Sequence, residues 1–373
     1  MNESDFKAYV KWANKRGIKL NPHLERRSVD GVFGMYSTAK IAKNDILVAT
    51  AKKQKNPKVR GFIYPDGIDP NLKTLHAYAI EHSMGEKSEF SLYFKTFTGE
   101  DVLKKHSAYF FSAAEVEQVK SLSPLLHSRV IDFNSRCRRF IDYLCQIDTS
   151  VPRASVEVVI LNYVARAFRN FGFLPLFDMF NHSDNQGRSI DEGSNVVSFK
   201  AGRHYEPGEQ VWINYGRKDM YDHALDYGYF DPRGTHFIDV TSRIAQAVNT
   251  DFARRVVARA AKILPIRCEE RQGTLFYSLA APGSFIEEDK PGETVCSFVR
   301  NTCYQSENEM LSGECTPESF KKGMIQLLEG MMGYNRVDER MPTEIPEKLR
   351  YLYEMLKKEK SMMLANLDWA NKL

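Results

Sequence analysis

The sequence predicts an α+β chain in which short strands are split by a long helical stretch and followed by a mainly helical tail. Three observations carry this reading. Short apolar runs bounded by turn residues lie at Gly31–Tyr36, Ile46–Ala49, Phe173–Met179, Asn195–Phe199 and Gln210–Asn214. From about Leu72 to Asn170 the apolar residues recur at helical spacing instead, and they do so again beyond Gly234. No GxGxxG follows a strand, and the strands are too scattered for a doubly wound parallel sheet.

Taken in order, Asp5 to Arg16 places Phe6, Tyr9, Val10, Trp12 and Ala13 among lysines, an amphipathic helix closed by Gly17. Two strands follow, Gly31–Tyr36 and Ile46–Ala49, with Lys43-Asn44-Asp45 as a turn. Helices are expected at Phe90–Phe97, Ala113–Leu122, Leu126–Leu144 and Val156–Phe168, the last with Val159, Ile160, Tyr163 and Ala167 on one apolar face. Strands return at Phe173–Met179, Asn195–Phe199 and Gln210–Asn214, the last two joined through the Pro207-Gly208 turn. In the tail, a helix Ile244–Leu264 stops at Pro265, and Phe285–Glu293 reads as a polar loop. Thr316-Pro317-Glu318 opens another helix with a capping Thr, Pro at the first helical position and an acid in the first turn. A lysine-rich amphipathic helix, about Pro346–Leu373, ends the chain.

Bulk properties remove several function classes. A chain of 373 residues with 43% hydrophobic and 27% charged side chains has the composition of a folded globular protein. The net charge of +4 is too small to argue for nucleic acid, and the densest basic stretch, Lys52 to Arg60, reads as a solvated loop. No apolar segment reaches the roughly 18 residues of a membrane span, and the N-terminus lacks a secretory pattern, so a cytoplasmic and further a nuclear location is expected. The six cysteines contain no CxxC or CxC pair. Reduced thiols buried as small hydrophobes are expected, and no metal.

The most informative run is Phe177-Asp178-Met179-Phe180-Asn181-His182-Ser183, followed later by Ile213-Asn214-Tyr215-Gly216. Amide, imidazole and phenol groups at strand ends can line one cleft. With Leu225-Asp226-Tyr227-Gly228-Tyr229, Val164-Ala165-Arg166-Ala167-Phe168, Phe33-Gly34 and Tyr93-Phe94-Lys95-Thr96-Phe97, the chain resembles SET-domain protein methyltransferases. The likeness is to the branch that includes the rubisco large-subunit and actin-histidine methyltransferases.

That resemblance implies a SET domain over residues 1–233, with small β-sheets, a knotted C-terminal segment and a helical insertion at about 70–170. Residues 234–373 would be a helical domain on which a protein substrate docks. It implies S-adenosyl-L-methionine as methyl donor, S-adenosyl-L-homocysteine as product and a monomer that binds neither membrane nor nucleic acid. Asn181 and His182 would hold the cofactor, with the Gly31-Val32-Phe33 backbone along its methionine part. Arg166 would meet its carboxylate, Asp178 would fix that network, and Tyr227, Gly228 and Tyr229 would close over the adenine. The family usually has an acid at position 31 and Gly at position 32, and this chain has neither. Tyr215 would be the catalytic phenol. Phe168, Phe177, Tyr215 and Tyr227 would line the substrate channel.

The acceptor follows from proton energetics. A lysine with pKa about 10.4 costs about 4.6 kcal/mol to neutralise at pH 7 and favours an apolar aromatic channel. A histidine is mostly neutral already and favours a polar partner for its second nitrogen. In the resembled family the histidine-modifying branch has a polar residue at the position of Phe168 and Trp at that of Phe177, so Phe at both implies lysine, with histidine as the alternative and a silent protein-binding module as a further one. Plainer readings stand beside these. His182 alone would be a structural histidine, Arg166 a surface ion pair, and Phe168, Phe177, Phe180 and Tyr227 core residues.

Overall fold

Asn2 caps the first helix, Glu3–Lys15, its side-chain oxygen accepting from the Asp5 N–H at 2.8 Å. This computed structural model describes residues 2–29, 32–52, 56–57, 62, 64–65, 67–168, 171–183, 187–242, 246–248, 250–271, 274–280, 284–337 and 345–373. Gly31 and the basic residues Lys53, Lys55, Lys58 and Arg60 lie outside them. The chain divides into two compact units, residues 1–110 with 133–216, and residues 111–132 with 217–373.

The first unit holds two four-stranded sheets built from eight strands. These are β1 (Lys19–Leu20), β2 (Leu24–Val29), β3 (Val32–Ser37), β4 (Ile46–Ala51), β5 (Asn181–His182), β6 (Asp191–Glu192), β7 (Val196–Lys200) and β8 (Gln210–Ile213). One sheet runs β1-β4-β7-β6, all antiparallel. The other runs β2-β3-β8-β5, with β5 parallel to β8. The sequence reading missed β1 and β2, whose polar residues give no apolar run. In β8, Val211 and Ile213 point into the core while Gln210 and Trp212 are half-buried, the alternation of a one-sided strand.

The helical insertion packs an aromatic cluster against the first helix. Tyr93 stacks on Tyr9 at 6.1 Å and meets Phe173 edge-on at 5.9 Å, and the Trp12 indole donates to the Glu89 carbonyl at 2.6 Å. The helix Arg153–Arg166 ends where Ala167 turns extended and the Phe168 N–H reaches back to the Gly172 carbonyl at 2.9 Å. Phe173–Met179 is not the expected strand. Leu176 sits at φ 72°, its N–H donating to the Tyr9 hydroxyl at 2.9 Å, and a single 3₁₀ turn covers Phe177–Met179. A buried tertiary hydrogen bond to a residue 167 positions away overrides the local β preference.

The second unit begins, in chain order, with Ala113–Leu122, whose start is a reciprocal capping box. The Glu115 N–H donates to Ser112 Oγ and the Ser112 N–H to Glu115 Oε2. The tail contains more strand than its sequence suggests. Strands β9 (Ile238–Asp239), β10 (Gln246–Val248), β11 (Ile266–Arg271), β12 (Thr274–Leu279) and β13 (Phe285–Ile286) form a two-stranded ribbon, β13-β9, and a three-stranded sheet, β10-β12-β11. The expected helix Ile244–Leu264 is therefore shorter, Asp251–Ala260, with Thr250 as its cap. The charged, exposed edge strand β11 has no apolar alternation to betray it. Pro317–Met332 opens at Thr316 and Pro317 as expected, and Arg350–Asn371 closes the chain. Of the six thiols, Cys137, Cys296 and Cys303 are buried, Cys145 and Cys315 half-buried and Cys268 exposed, so the buried reading fits only half of them.

Candidate active site

The parallel pairing of β5 with β8, Asn181 opposite Trp212 and His182 opposite Ile213, brings two distant motifs to one strand end. The ladder continues one residue further, the Ser183 N–H donating to the Ile213 carbonyl at 2.9 Å. Tyr215 then crosses back over His182. Its N–H donates to His182 Nδ1 at 3.0 Å, its ring stacks on the imidazole at 5.0 Å, and its hydroxyl donates to the Phe180 carbonyl at 2.6 Å. That bond leaves Nδ1 as an acceptor, so the neutral ring carries its proton on Nε2. The phenol is 36% exposed, held at both ends yet reachable from solvent.

Two glycines allow this approach. A Cβ on Gly187 would come within 2.2 Å of the Ile213 carbonyl carbon, and one on Gly34 within 2.4 Å of Gln210 Nε2 and 3.1 Å of Asn181 Nδ2. Asn181 Nδ2 donates to the Phe33 carbonyl at 2.8 Å, tying β5 to β3. Its Oδ1 has no partner among the described residues. Phe33 is exposed, with the Arg26 guanidinium 3.5 Å above its ring. Of Val32 only the backbone is described.

The same unit holds an ion pair whose carboxylate is buried and whose guanidinium is partly exposed. Arg166 Nε is 3.1 Å from Asp178 Oδ2, the same oxygen accepts from the Tyr93 hydroxyl at 2.8 Å, and Arg166 Nη1 donates to the Thr96 carbonyl. Burial pushes the Asp178 carboxyl above its ordinary range, with Arg166 pulling against it. For Arg166, burial works against the charge, but Asp178, Tyr93, Tyr9 and Tyr215 outweigh it and hold the guanidinium charged. Burial raises the Tyr9 and Tyr93 phenols far enough that both stay neutral. Arg166 is thus a half-buried, structured cation and not a surface ion pair. Asp178 Oδ1 is buried without a hydrogen bond among the described residues. Tyr9, Tyr93 and Thr96 belong to this network; Tyr93 and Thr96 lie in the Tyr93–Phe97 run that carries part of the resemblance, which assigned them no site role. The nearest signal is a tyrosine on an otherwise apolar helix face.

Phe177 is fully buried against Phe199 at 5.4 Å, and Phe168, half-buried, meets both at 6.2 and 5.7 Å. Phe168 therefore presents the accessible edge of this aromatic group and Phe177 its packed interior. In the second unit, Gly228 caps the helix Met220–Tyr227 in the left-handed conformation at φ 68°. Tyr227 and Tyr229 both pack on His223, at 4.7 and 5.8 Å, and Lys218 lies over the Tyr227 ring at 5.0 Å. Among the described residues no group of His, Cys, Asp and Glu could hold a metal, and no helix is long and apolar enough to cross a membrane.

Comparison with known proteins adds to this geometry. The SET domain family model matches residues 32–216. No curated protein matches the chain. Among solved structures, the SET domain of LSMT bound to lysine and AdoHcy aligns with a TM-score of 0.60 at 15% identity, covering 99% of this chain and 91% of that one. Rubisco LSMT bound to sinefungin and monomethyllysine aligns at 0.57 and 15% identity, covering 99% and 92%. Rubisco LSMT bound to AdoMet aligns at 0.56 and 14%, again covering 99% and 92%. At such identities the likeness speaks to the fold.

Proposed function

This chain carries a SET domain, and from that premise we propose that it is an S-adenosylmethionine-dependent protein methyltransferase acting on a lysine side chain. The observation that carries the reading is the β5–β8 pairing, which sets Asn181, His182 and Tyr215 around one strand end.

The residues present suit the cofactor. Asn181, whose Nδ2 donates to the Phe33 carbonyl, offers its amide to the cofactor, and Arg166 offers a guanidinium whose planar fork suits a carboxylate through a charge-assisted bond. When bound, the sulfonium supplies an activated methyl group with its own leaving group. What this chain contributes is alignment and a dry channel. Tyr215 is pinned through its N–H and its hydroxyl, which fixes the phenol oxygen against the Phe180 carbonyl and pre-orients it for the reacting groups. His182 orients the Tyr215 backbone and needs no proton of its own to exchange.

The lysine acceptor is supported by the apolar ring of half-buried Phe168, which offers no hydrogen-bond partner to a second imidazole nitrogen and is backed by the fully buried Phe177. Lysine and monomethyllysine are also bound in two of the structures it resembles. Its protein substrate is proposed to dock on the helical tail.

Calorimetry with S-adenosylmethionine tests the cofactor reading, and saturable binding is expected. No heat at millimolar ligand would leave only a SET-fold binding module. Mass spectrometry of a protein labelled from the cofactor tests the acceptor, and methyl on a histidine nitrogen would overturn the lysine assignment.

A further inference from the structure

Cys303 and Cys315 are twelve positions apart in sequence, too far to form any thiol motif, yet their sulfurs lie 3.2 Å apart. A disulfide bond is about 2.0 Å long, so small side-chain rotations separate the thiols from covalent contact. From this geometry we infer that Cys303 and Cys315 form a dithiol modification site that closes to an intramolecular disulfide under a disulfide oxidant.

Everything around the pair fixes the two sulfurs in place. Cys303 ends the helix Glu293–Thr302, its N–H bonded to the Val299 carbonyl at 2.9 Å. Gly323 of the helix Pro317–Met332 presses directly against it, since a Cβ there would come within 2.3 Å of the Cys303 Cβ. Cys315 immediately precedes the Thr316 cap of that helix, and its thiol lies 3.5 Å from the Thr316 carbonyl. The intervening chain is gathered by Glu309, whose carboxylate accepts from the Gln305 N–H at 2.7 Å, Thr316 Oγ1 at 2.6 Å and Ser319 Oγ at 2.7 Å. Ring closure therefore needs no refolding of residues 303–315. Burial pushes both thiols above their ordinary range, so neither is a reactive thiolate by itself, and proximity has to drive the second step.

The chemistry balances as ordinary exchange. The half-buried Cys315 attacks an oxidant RSSR, forming a mixed disulfide and releasing RSH. Cys303 then attacks the Cys315 sulfur, forming the 303–315 bond and releasing a second RSH. Two electrons pass to the oxidant, and the two thiol protons leave on the two RSH molecules. Cys268 supplies an internal control, because it is exposed on the edge strand β11 and makes no thiol–thiol contact among the described residues, so a mixed disulfide is its expected product.

The test titrates the full chain with glutathione disulfide, followed by alkylation, digestion and mass spectrometry. The expected product is a 303–315 crosslink that has lost two hydrogens, formed at oxidant ratios where Cys268 carries glutathione, with Cys303 alkylatable in Cys315→Ser. Cys315 accumulating as a stable glutathione adduct, or both thiols remaining alkylatable while Cys268 is modified, would overturn the assignment. Since wild-type protein gives the answer, a folding defect in the variant does not obscure it.

Discussion

Two carboxylates, one in each compact unit, are pushed in opposite directions by their surroundings. Asp178 is sealed beside Arg166 with one oxygen unpartnered, and burial raises its pKa. Glu309 lies near solvent and gathers donors from Gln305, Thr316 and Ser319, which lower its pKa to about 2. The charge on Asp178 is tolerated because a cation accompanies it; the charge on Glu309 is favoured because hydrogen bonds converge on it. The first arrangement is costly to disturb and supports a site. The second is a local clamp on a surface segment. Burial, more than the number of contacts, decides which group matters most to stability.

Breaking this ion pair is expected to have the largest effect. Asp178→Asn leaves the half-buried Arg166 guanidinium without its anion and should cost about 3–5 kcal/mol in a denaturant titration. A loss below about 1 kcal/mol would mean that water already screens the pair. Tyr215→Phe should act on the open side instead. Turnover falls by about 10²–10³, cofactor affinity stays near wild type, and stability changes by about 1 kcal/mol from the missing bond to Phe180. Unchanged turnover would move the catalytic role to another residue. Gly187→Ala separates position from chemistry, since it removes no polar group but forces the Ile213 backbone to shift. It should cost about 1–3 kcal/mol and lower turnover together with stability. Full activity would show that the strand end tolerates displacement.

The contrast also explains what the sequence disclosed. Asn181, His182 and Tyr215 were legible because a chemical motif is local, and β8, which leads into Tyr215, has plain apolar alternation. The bond from Leu176 to Tyr9 was not legible, and it turned an apparent strand at Phe173–Met179 into a 3₁₀ turn. Tyr93 and Thr96 stood in a family-like run, but their bonds to Asp178 and Arg166, and the place of Tyr9 beside them, come only from tertiary packing. In the tail, β11 escaped because its charged residues face solvent, and the 303–315 thiol pair escaped because its spacing matches no motif. Local signals name the groups that do chemistry, while the partners that hold them come from afar.

The smallest predicted effect tests the clamp. Glu309 is depressed from an ordinary value of 4.5 to about 2 by its hydrogen bonds to Thr316, Ser319 and Gln305. A folded-state pKa below the unfolded one means the folded chain holds fewer protons in that window, so this contribution is complete above about pH 4.5 and disappears as pH falls toward 2. Because the carboxylate is near solvent, its worth is screened, and Glu309→Gln should cost only about 1 kcal/mol at neutral pH. Thermal midpoints of wild type and variant should differ at pH 7 and converge as acid protonates Glu309. A constant difference from pH 7 to pH 2.5 would show that the clamp works through the shape of the side chain and not through its charge.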